Sequence, residues 1–501
     1  MADFNVVKTG LSRVFLIEWR ARGDHVPTYM NSMRSGAISA GFGDSTPIKT
    51  PSDVRYGEYE EIDEVQGAVE RPTISLEGRY ARDLKSALLR LARLRCPFDI
   101  QIHVGNCTDP RSFNEFEKAI ILEGAKISTY NTDDLGSLSD DDESEVNENV
   151  DVSAIRVYEA LPLTFAETAG SIVTNEVVDV FIGDTSSCGG CDNPSDGCSR
   201  IFALTIAAGG SAGTPADVVF TLNKWETSFA YDIDSLGVAE NPNAGDVMGT
   251  NIVIVSNDSG SHHIALLSEF DGIQDPTFTE VTTGYVAGGE PNAIKSTGNI
   301  AFIVGDGGYV YLCEDPETGV SVLDAGSAVT DNLNAVDALS STFAVAVGDA
   351  GAVVRTANGT TWESITRPVG VTIDLTAIAL KSKTEWWVTA NNGTMYVTYN
   401  GGTSWAAKGF PGSGTGVAYD IKIATDSVFF LAHTTVTPRG RILQSFDGGQ
   451  SWIVLPQGSA SLTLNDRIVS IDPCKFDPNS ITGGGLNDNG SDGILLYGAA
   501  T

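Results

Sequence analysis

A chain of 501 residues with a net charge of −34 and only 31 Lys and Arg excludes a protein built to grip nucleic acid or an anionic membrane, because neutralising phosphate needs clustered bases. Hydrophobic residues at 42% and charged residues at 19% exclude a disordered chain, and the length predicts two or three domains. The opening residues carry no basic segment followed by an apolar one, and no apolar run nears the roughly 18–20 residues that span a bilayer, so a soluble chain made in a cytoplasm is expected.

In chain order, "NVVKTGLSRVFLIEWR" reads as one or two strands, followed by a polar stretch over 24–64 with little hydrophobic periodicity. "RPTISLEGRY" at 71–80 alternates apolar and polar residues, as a half-buried strand does. The next segment, "ARDLKSALLRLARLR", places Leu84, Ala87, Leu88, Leu91 and Leu94 on one face of a helix predicted over 82–95. Asp83 stands in its first turn and Arg93 and Arg95 in its last, the polarity a helix dipole favours, and Pro97 ends it. "FDIQIHV", "EKAIILEGAKISTY" and "SAIRVYEALPLTF" complete this front part as strands.

Between two of those strands runs "DDLGSLSDDDESEVNENVD" at 133–151. Such a run is first a solvated loop. Its second reading is a cation-binding or lumen-facing loop through Asp140, Asp141, Asp142 and Glu143, although no EF-hand spacing is present.

Of the seven cysteines, Cys188, Cys191 and Cys198 cluster in "CGGCDNPSDGC", inside a linker expected over 176–199. A C-x-x-C pair is half a zinc site, yet no His or fourth Cys lies near enough to complete tetrahedral coordination, so no metal is assigned. A Gly-rich turn is the expectation, with a disulfide left open. Cys96, Cys107, Cys313 and Cys474 read as buried thiols.

Residues 200–501 are repetitive. Trp362, Trp405 and Trp452 are spaced by 43 and 47 residues, each behind a turn rich in Gly and Asn or Asp: "RTANGTTW", "VTYNGGTSW" and "QSFDGGQSW". These are Asp-boxes of the form S/T-x-D/N-G-G-x-S-W. In each, Asn358, Asn400 or Asp447 is placed to accept hydrogen bonds from the amides of its own turn, with the Trp packed beneath. Strand–turn–strand pairs such as "AFIVGDGGYVYLC", "FAVAVGDAGAVVRT" and "WWVTANNGTMYVT" precede them. A period of about 40–45 residues with four short strands per unit predicts a β-propeller. Seven units are counted, with six as the alternative. The last unit, 480–501, lacks an outer strand, which "VTNEVVDVFIG" at 173–183 would supply.

No catalytic constellation emerges. His262, His263 and His433 fall in predicted turns, and the six Arg of this half are scattered. Tyr399 and Trp386 are expected in the core rather than as sugar platforms. Neither an enzyme nor a cofactor is expected.

The repeat resembles Asp-box (BNR-type) propellers of photosystem II assembly factors, sialidases and sortilin-like receptors. A sialidase would imply an Arg triad, a Tyr–Glu nucleophile pair and an acid Asp, and none of these is placed by the motifs here. Residues 1–175 resemble the major tail tube proteins of long-tailed bacterial and archaeal viruses, through "LSRVFLIEWR", "YGEYEEIDEVQGAVERPTISLEGRY", the helix 82–95 and "DVSAIRVYEALPLTFAETA". That resemblance implies a mainly β chain: a β-sandwich or barrel-like domain with one helix and a long inter-subunit loop over 24–70, then the propeller. It implies a virion structural protein, assembled in the host cytoplasm, whose hexameric rings stack into a tail tube. Its partners would be further copies of itself, other tail proteins, genomic DNA sliding past an acidic wall, and host-surface glycans touched by an outward propeller, with no membrane insertion. A tail adhesin without a tube-forming role is the alternative.

Overall fold

In the computed structural model the described residues are the strands named below with a few flanking positions, Ala92 and Arg93, and the stretches 288–315, 329–368, 372–435, 440–455 and 466–474. The chain divides into two compact units, 1–20 with 24–161, and 21–23 with 162–501. The architecture is mainly β, with almost no helix among the described residues. No helix among them is long and apolar enough to cross a membrane.

The first unit contains β1 (Leu11–Ile17), β2 (Pro27–Tyr29), β3 (Met33–Ser39), β4 (Thr46–Pro51), β5 (Tyr59–Val65), β6 (Thr73–Arg79), β7 (Phe98–Gly105), β8 (Phe116–Thr132), β9 (Asn147–Ser153) and β10 (Arg156–Ala160). Eight of them form an antiparallel sheet in the order β2-β1-β7-β8-β9-β6-β3, with β10 on β8. Alternation builds its core: Ile74 and Leu76 of β6 and Val150 and Val152 of β9 bury alongside Phe98, Ile100, Ile102 and Leu122. The 17-residue β8 changes partners midway, pairing with β7 and β10 through its first half and with β9 beyond Lys126. Gly124 sits at that change with φ +60, its N–H donating to Asp99 Oδ1 at 2.9 Å, and a Cβ there would stand 2.7 Å from Ile155.

The polar stretch 24–64 is not a plain loop, because it carries β2 to β5. Periodicity missed these strands for a physical reason. Among the described residues β3 is an edge strand, and β4 and β5 pair only with each other, so neither hairpin strand must present an apolar face to a sheet. The sheet ends on β2 and β3, which are not hydrogen-bonded to each other, so the expected barrel is not closed. Of the helix predicted over 82–95 only Ala92 and Arg93 are described, and both are helical.

The second unit holds seven four-stranded antiparallel sheets among the described residues. Their innermost strands are Glu176–Ile182, Asn241–Met248, Pro291–Thr297, Leu333–Ser340, Leu375–Leu380, Val417–Ile423 and Arg467–Pro473, and the sheets are numbered first to seventh in that order. Each innermost strand lies against that of the next sheet, and the seventh lies against the first. This is a propeller-type arrangement. All seven innermost strands slip register by one residue at the same place, between Val177 and Asp179, Pro242 and Ala244, Pro291 and Ala293, Leu333 and Ala335, Leu375 and Ala377, Ala418 and Asp420, and Ile468 and Ser470. A bulge re-aims the side chains that follow it, so the same positions in all seven sheets turn towards one axis.

The seventh sheet takes its outer strand from elsewhere in the chain. Leu163–Glu167 pairs antiparallel with Gly493–Ala500. The expected closing strand at 173–183 is instead the innermost strand of the first sheet. The propeller-type unit therefore begins at 162 rather than 200, and part of the linker expected over 176–199 is core strand. Gly484 makes the junction of the first and seventh sheets close, since a Cβ on it would stand 2.4 Å from Val177 and 2.7 Å from Val180.

Candidate functional site in the central cavity

The three Asp-boxes lie at the outer hairpins of the fourth, fifth and sixth sheets. Asp447 accepts hydrogen bonds from Gln450 N–H (3.0 Å), Ser451 N–H (2.8 Å), Ser451 Oγ (2.5 Å) and Ser445 Oγ (2.9 Å). Asn400 accepts from Ser404 N–H (2.9 Å) and donates through Nδ2 to Ser404 Oγ (2.8 Å). Asn358 accepts from Thr360 and Thr361 N–H (3.0 and 2.8 Å) and donates to Thr361 Oγ1 (2.7 Å). Trp362 and Trp452 are buried, and Trp405 is half-buried edge-on against Trp386. Burial raises the Asp447 carboxyl above its ordinary range against those hydrogen bonds. The side-chain oxygens of Asn358, Asn400 and Asp447 are thereby committed to amides and hydroxyls of their own hairpins, whereas Trp405 Nε1 donates to Thr366 O in the preceding sheet (2.7 Å).

The chemistry-bearing cluster lies elsewhere, in a cavity of about 520 Å³ that all seven innermost strands line. Immediately after the shared bulge stand Asp179, Ala244, Ala293, Ala335, Ala377, Asp420 and Ser470. Two residues further on stand Phe181, Asp246, Lys295, Asp337, Ala379, Lys422 and Asp472, all of them on the cavity wall. Each aspartate of these two tiers accepts a backbone N–H from the following sheet. Asp179 takes Gly245 (3.0 Å), Asp246 takes Ser296 (2.8 Å), Asp337 takes Leu380 (2.7 Å), Asp420 takes Ile471 (3.1 Å) and Asp472 takes Ile182 (2.7 Å). Five of the seven junctions are stapled in this way. At the other two, Lys295 and Ala379 stand where a stapling aspartate would.

The lysines balance part of the charge. Lys295 Nζ lies 3.3 Å from Asp246 Oδ2, and that pairing raises its pKa against the opposing effect of burial. Lys422 Nζ lies 3.5 Å from Asp420 Oδ2. Burial alone would lower the Lys422 pKa, but Asp420, Asp472, Asp179 and Asp337 together raise it. Burial pushes Asp179 up to about 6, although Lys422, Gly245 N–H and Ser470 all favour its anion. Asp420 is raised chiefly by burial as well. With their oxygens spent on backbone amides, these carboxylates act as fasteners between sheets.

The remaining sequence candidates fall as follows. Asp140, Asp141, Asp142 and Glu143 lie outside the described residues, as do Cys188, Cys191 and Cys198. No group of three or more His, Cys, Asp or Glu able to hold a metal occurs among the described residues. Cys474, expected as a thiol, is disulfide-bonded, and Cys313 is a buried thiol outside any disulfide. The three histidines are on strands rather than in turns, because β-hairpins here run longer than their polar tips. His433 is fully buried, its Nε2 2.8 Å from Thr415 O and its ring edge-on to Phe410, and burial lowers its pKa. Trp386 is a core residue, and Tyr399 packs edge-on against Trp387.

Sequence reasoning missed the cavity residues. The available signal was a short recurrence at the start of three units: "NAGD" at 243–246, "NAIK" at 292–295 and "NAVD" at 334–337. Its asparagines are inter-sheet fasteners too. Asn243 donates to Pro291 O (2.6 Å), Asn292 to Leu333 O (3.1 Å) and Asn334 to Leu375 O (3.1 Å).

No family model matches the sequence, and no curated protein matches it. Among solved structures, YCF48 bound to D1 peptide is 18% identical at a TM-score of 0.49, covering 68% of this chain and 96% of its own. YCF48 from Cyanidioschyzon merolae is 14% identical at 0.48, covering 67% and 98%. The WD40 β-propeller domain of Doa1 is 12% identical at 0.45, covering 66% and 96%. At these values the likeness carries no inference about function, and the propeller-type architecture rests on the strand order itself.

Proposed function

We propose that this chain is a virion structural protein, a tail tube subunit whose first unit assembles into stacked hexameric rings and whose second unit is a seven-bladed propeller carried outside. The observation that carries this reading is the unsatisfied edge of the first unit. Among the described residues its sheet ends on the seven-residue β3, which pairs with β6 alone, and the β4–β5 hairpin pairs only within itself. An open strand edge is a template for another chain, and a ring of identical subunits joined edge to edge consumes it without aggregation. The hairpin then serves as the arm to a neighbouring ring. The net charge of −34 fits a conduit through which DNA slides without adhering.

In the second unit, the seven sheets are taken as blades closed by Leu163–Glu167, so the propeller is fastened by a strand that directly follows the first unit in sequence. The partners on this reading are further copies of the chain, other tail proteins and passing genomic DNA, in a virion tail assembled in the host cytoplasm.

Negative-stain electron microscopy with mass photometry on the purified full chain tests this. Rings or tubes bearing external knobs, at about six copies per ring, are expected from closed cyclic assembly. A chain that stays monomeric at every concentration overturns the tube role and leaves the propeller as a host-surface glycan-binding module, to be checked on a glycan array with residues 162–501.

A further inference from the structure

The junction of the first and seventh sheets differs from the other six. Elsewhere the joined strands follow one another within about one repeat of sequence, whereas here Val180 and Ser470 are 290 residues apart. Three carboxylates, Asp179, Asp420 and Asp472, converge near a single ammonium, Lys422, and the three first-named influence its charge directly. Across the cavity, Lys295 is paired to Asp246, with Asp337 beyond it. Three carboxylates around one ammonium leave the junction with an excess of negative charge, although each carboxylate accepts a backbone N–H.

The hydrogen bonds around Asp179 accommodate a proton. Asp179 Oδ2 accepts Gly245 N–H at 3.0 Å, and Asp179 Oδ1 lies 2.7 Å from Ser470 Oγ. Ser470 Oγ in turn lies 3.2 Å from Val180 N and 3.5 Å from Val180 O. With Asp179 ionised, Ser470 donates to the carboxylate and accepts from Val180 N–H. With Asp179 protonated, the acid donates to Ser470, whose hydroxyl turns to Val180 O while still accepting from Val180 N–H. Both states are fully hydrogen-bonded, but only the ionised one buries an anion beside Asp420 and Asp472. We propose that this junction is a proton-operated latch: a proton held between Asp179 and Ser470 clamps the first sheet onto the seventh, and its loss between mildly acid and neutral conditions loosens that one seam.

The other charged groups facing Asp179 are accounted for. The second sheet contributes Asp246, the third Lys295, the fourth Asp337, the fifth Lys381 at the end of its innermost strand, and the sixth Asp420 and Lys422. The seventh contributes Asp472 and Arg467, the latter paired at 3.2 Å with Glu176 of the first sheet, together with Tyr497, whose hydroxyl is bonded to Ser480. Burial is the dominant influence on Asp179, placing its proton near pH 6. Its folded value lies above the ordinary 3.8, so its stabilisation is complete below 3.8 and disappears as the pH rises through about 6.

Hydrogen exchange of the full chain, read in peptides covering 176–182 and 467–473 and corrected for intrinsic rates, tests the latch. For a proton held near pH 6, opening of this seam is expected to be roughly fourfold rarer at pH 5.5 than at pH 7.5. Asp179→Asn keeps an acceptor for Gly245 and should abolish that difference, with slower exchange than the native chain at pH 7.5. Asp447→Asn, in the sixth sheet, should leave the seam's difference intact. The latch is overturned if Asp179→Asn retains the pH dependence, if it exchanges faster than the native chain at both pH values, or if the native seam is equally protected at both. Should Asp179→Asn not fold, Asp420→Asn decides. By removing a neighbouring anion it must move the transition to lower pH, and an unmoved transition overturns the proposal equally.

Discussion

The Asp-box hairpins and the central ring use the same chemistry, an Asp or Asn side chain accepting backbone N–H groups, at two very different sequence ranges. Asp447 finds its partners within four residues, at Gln450 and Ser451. Asp472 finds Ile182, 290 residues away. The local arrangement fixes a turn and is already satisfied when one hairpin forms. The distant one exists only when whole sheets have docked, so it converts separate hairpins into one cooperative body. The same hydrogen bond thus serves as a local clip or as a global fastener, according to the length of chain it closes.

The sharpest way to break that contrast is to remove one member of each kind. Asp472→Ala strands the N–H of Ile182 at the junction and leaves Lys422 with one fewer counter-charge. An unsatisfied buried donor costs about 1–3 kcal/mol, and the lost partner of a buried ammonium adds to it, so a loss of about 2–4 kcal/mol is expected. Denaturant unfolding should show a lower midpoint, with the enhanced hydrogen exchange spread over the first and seventh sheets.

Asp447→Ala removes four hydrogen bonds, yet its donors lie in a surface hairpin that water can reach once the turn loosens. A smaller loss of about 1–2 kcal/mol is expected, with exchange confined to 445–455. Asp447→Asn sharpens the comparison, because Asn400 already shows how an amide serves in this turn, donating to the hydroxyl that Asp447 accepts from. Burial raises the Asp447 carboxyl, so its contribution is greatest when protonated and declines as the pH rises through the raised value. Asp447→Asn should therefore cost under about 0.5 kcal/mol at neutral pH and flatten that part of the stability–pH curve.

This difference in range also decides what could be read before folding. Asn358, Asn400 and Asp447 announce themselves because motif, partners and Trp occupy eight consecutive positions or fewer. The repeat followed from the same local pattern. Asp179, Asp246, Asp337, Asp420 and Asp472 do not, since nothing near Asp472 in sequence points to Ile182. Moreover, the shared bulge places Asp179 and Asp420 in one tier and Asp246, Asp337 and Asp472 in the next, so an aligned column of acids never forms. The strand at 163–167 was hidden for a related reason. "LTFAE" looks like the end of the strand run before it, and only its pairing with Gly493–Ala500 assigns it to the last sheet. In the first unit, β4 and β5 were illegible because a hairpin bonded only to itself carries no amphipathic signature.

A small effect of the opposite sign, a gain, is expected at a fastener that is absent. Ala379 occupies the tier of Asp246, Asp337 and Asp472, at the junction of the fifth and sixth sheets. In that tier each aspartate takes the N–H one residue beyond the matching position of the next sheet: Asp246 takes Ser296, Asp337 takes Leu380 and Asp472 takes Ile182. The rule assigns Ile423 N–H to an aspartate at 379, with Lys422 beside it on the cavity wall. At present this junction is bridged near the axis by the Thr376 hydroxyl, which donates to Ala418 O. Ala379→Asp adds a charged acceptor in a cavity that already holds an anion excess, so its hydrogen bond, worth about 1 kcal/mol, is partly offset by desolvation. A net gain of about 0.5 kcal/mol in unfolding free energy is expected, with slowed exchange at Ile423 alone. If Ile423 is unaffected, the tier rule fails and the five staples are separate accidents of their sheets. If Ile423 is protected while the total stability falls, the rule holds and the limit is the charge that the cavity tolerates. That outcome would explain why one sheet of the seven keeps an alanine there.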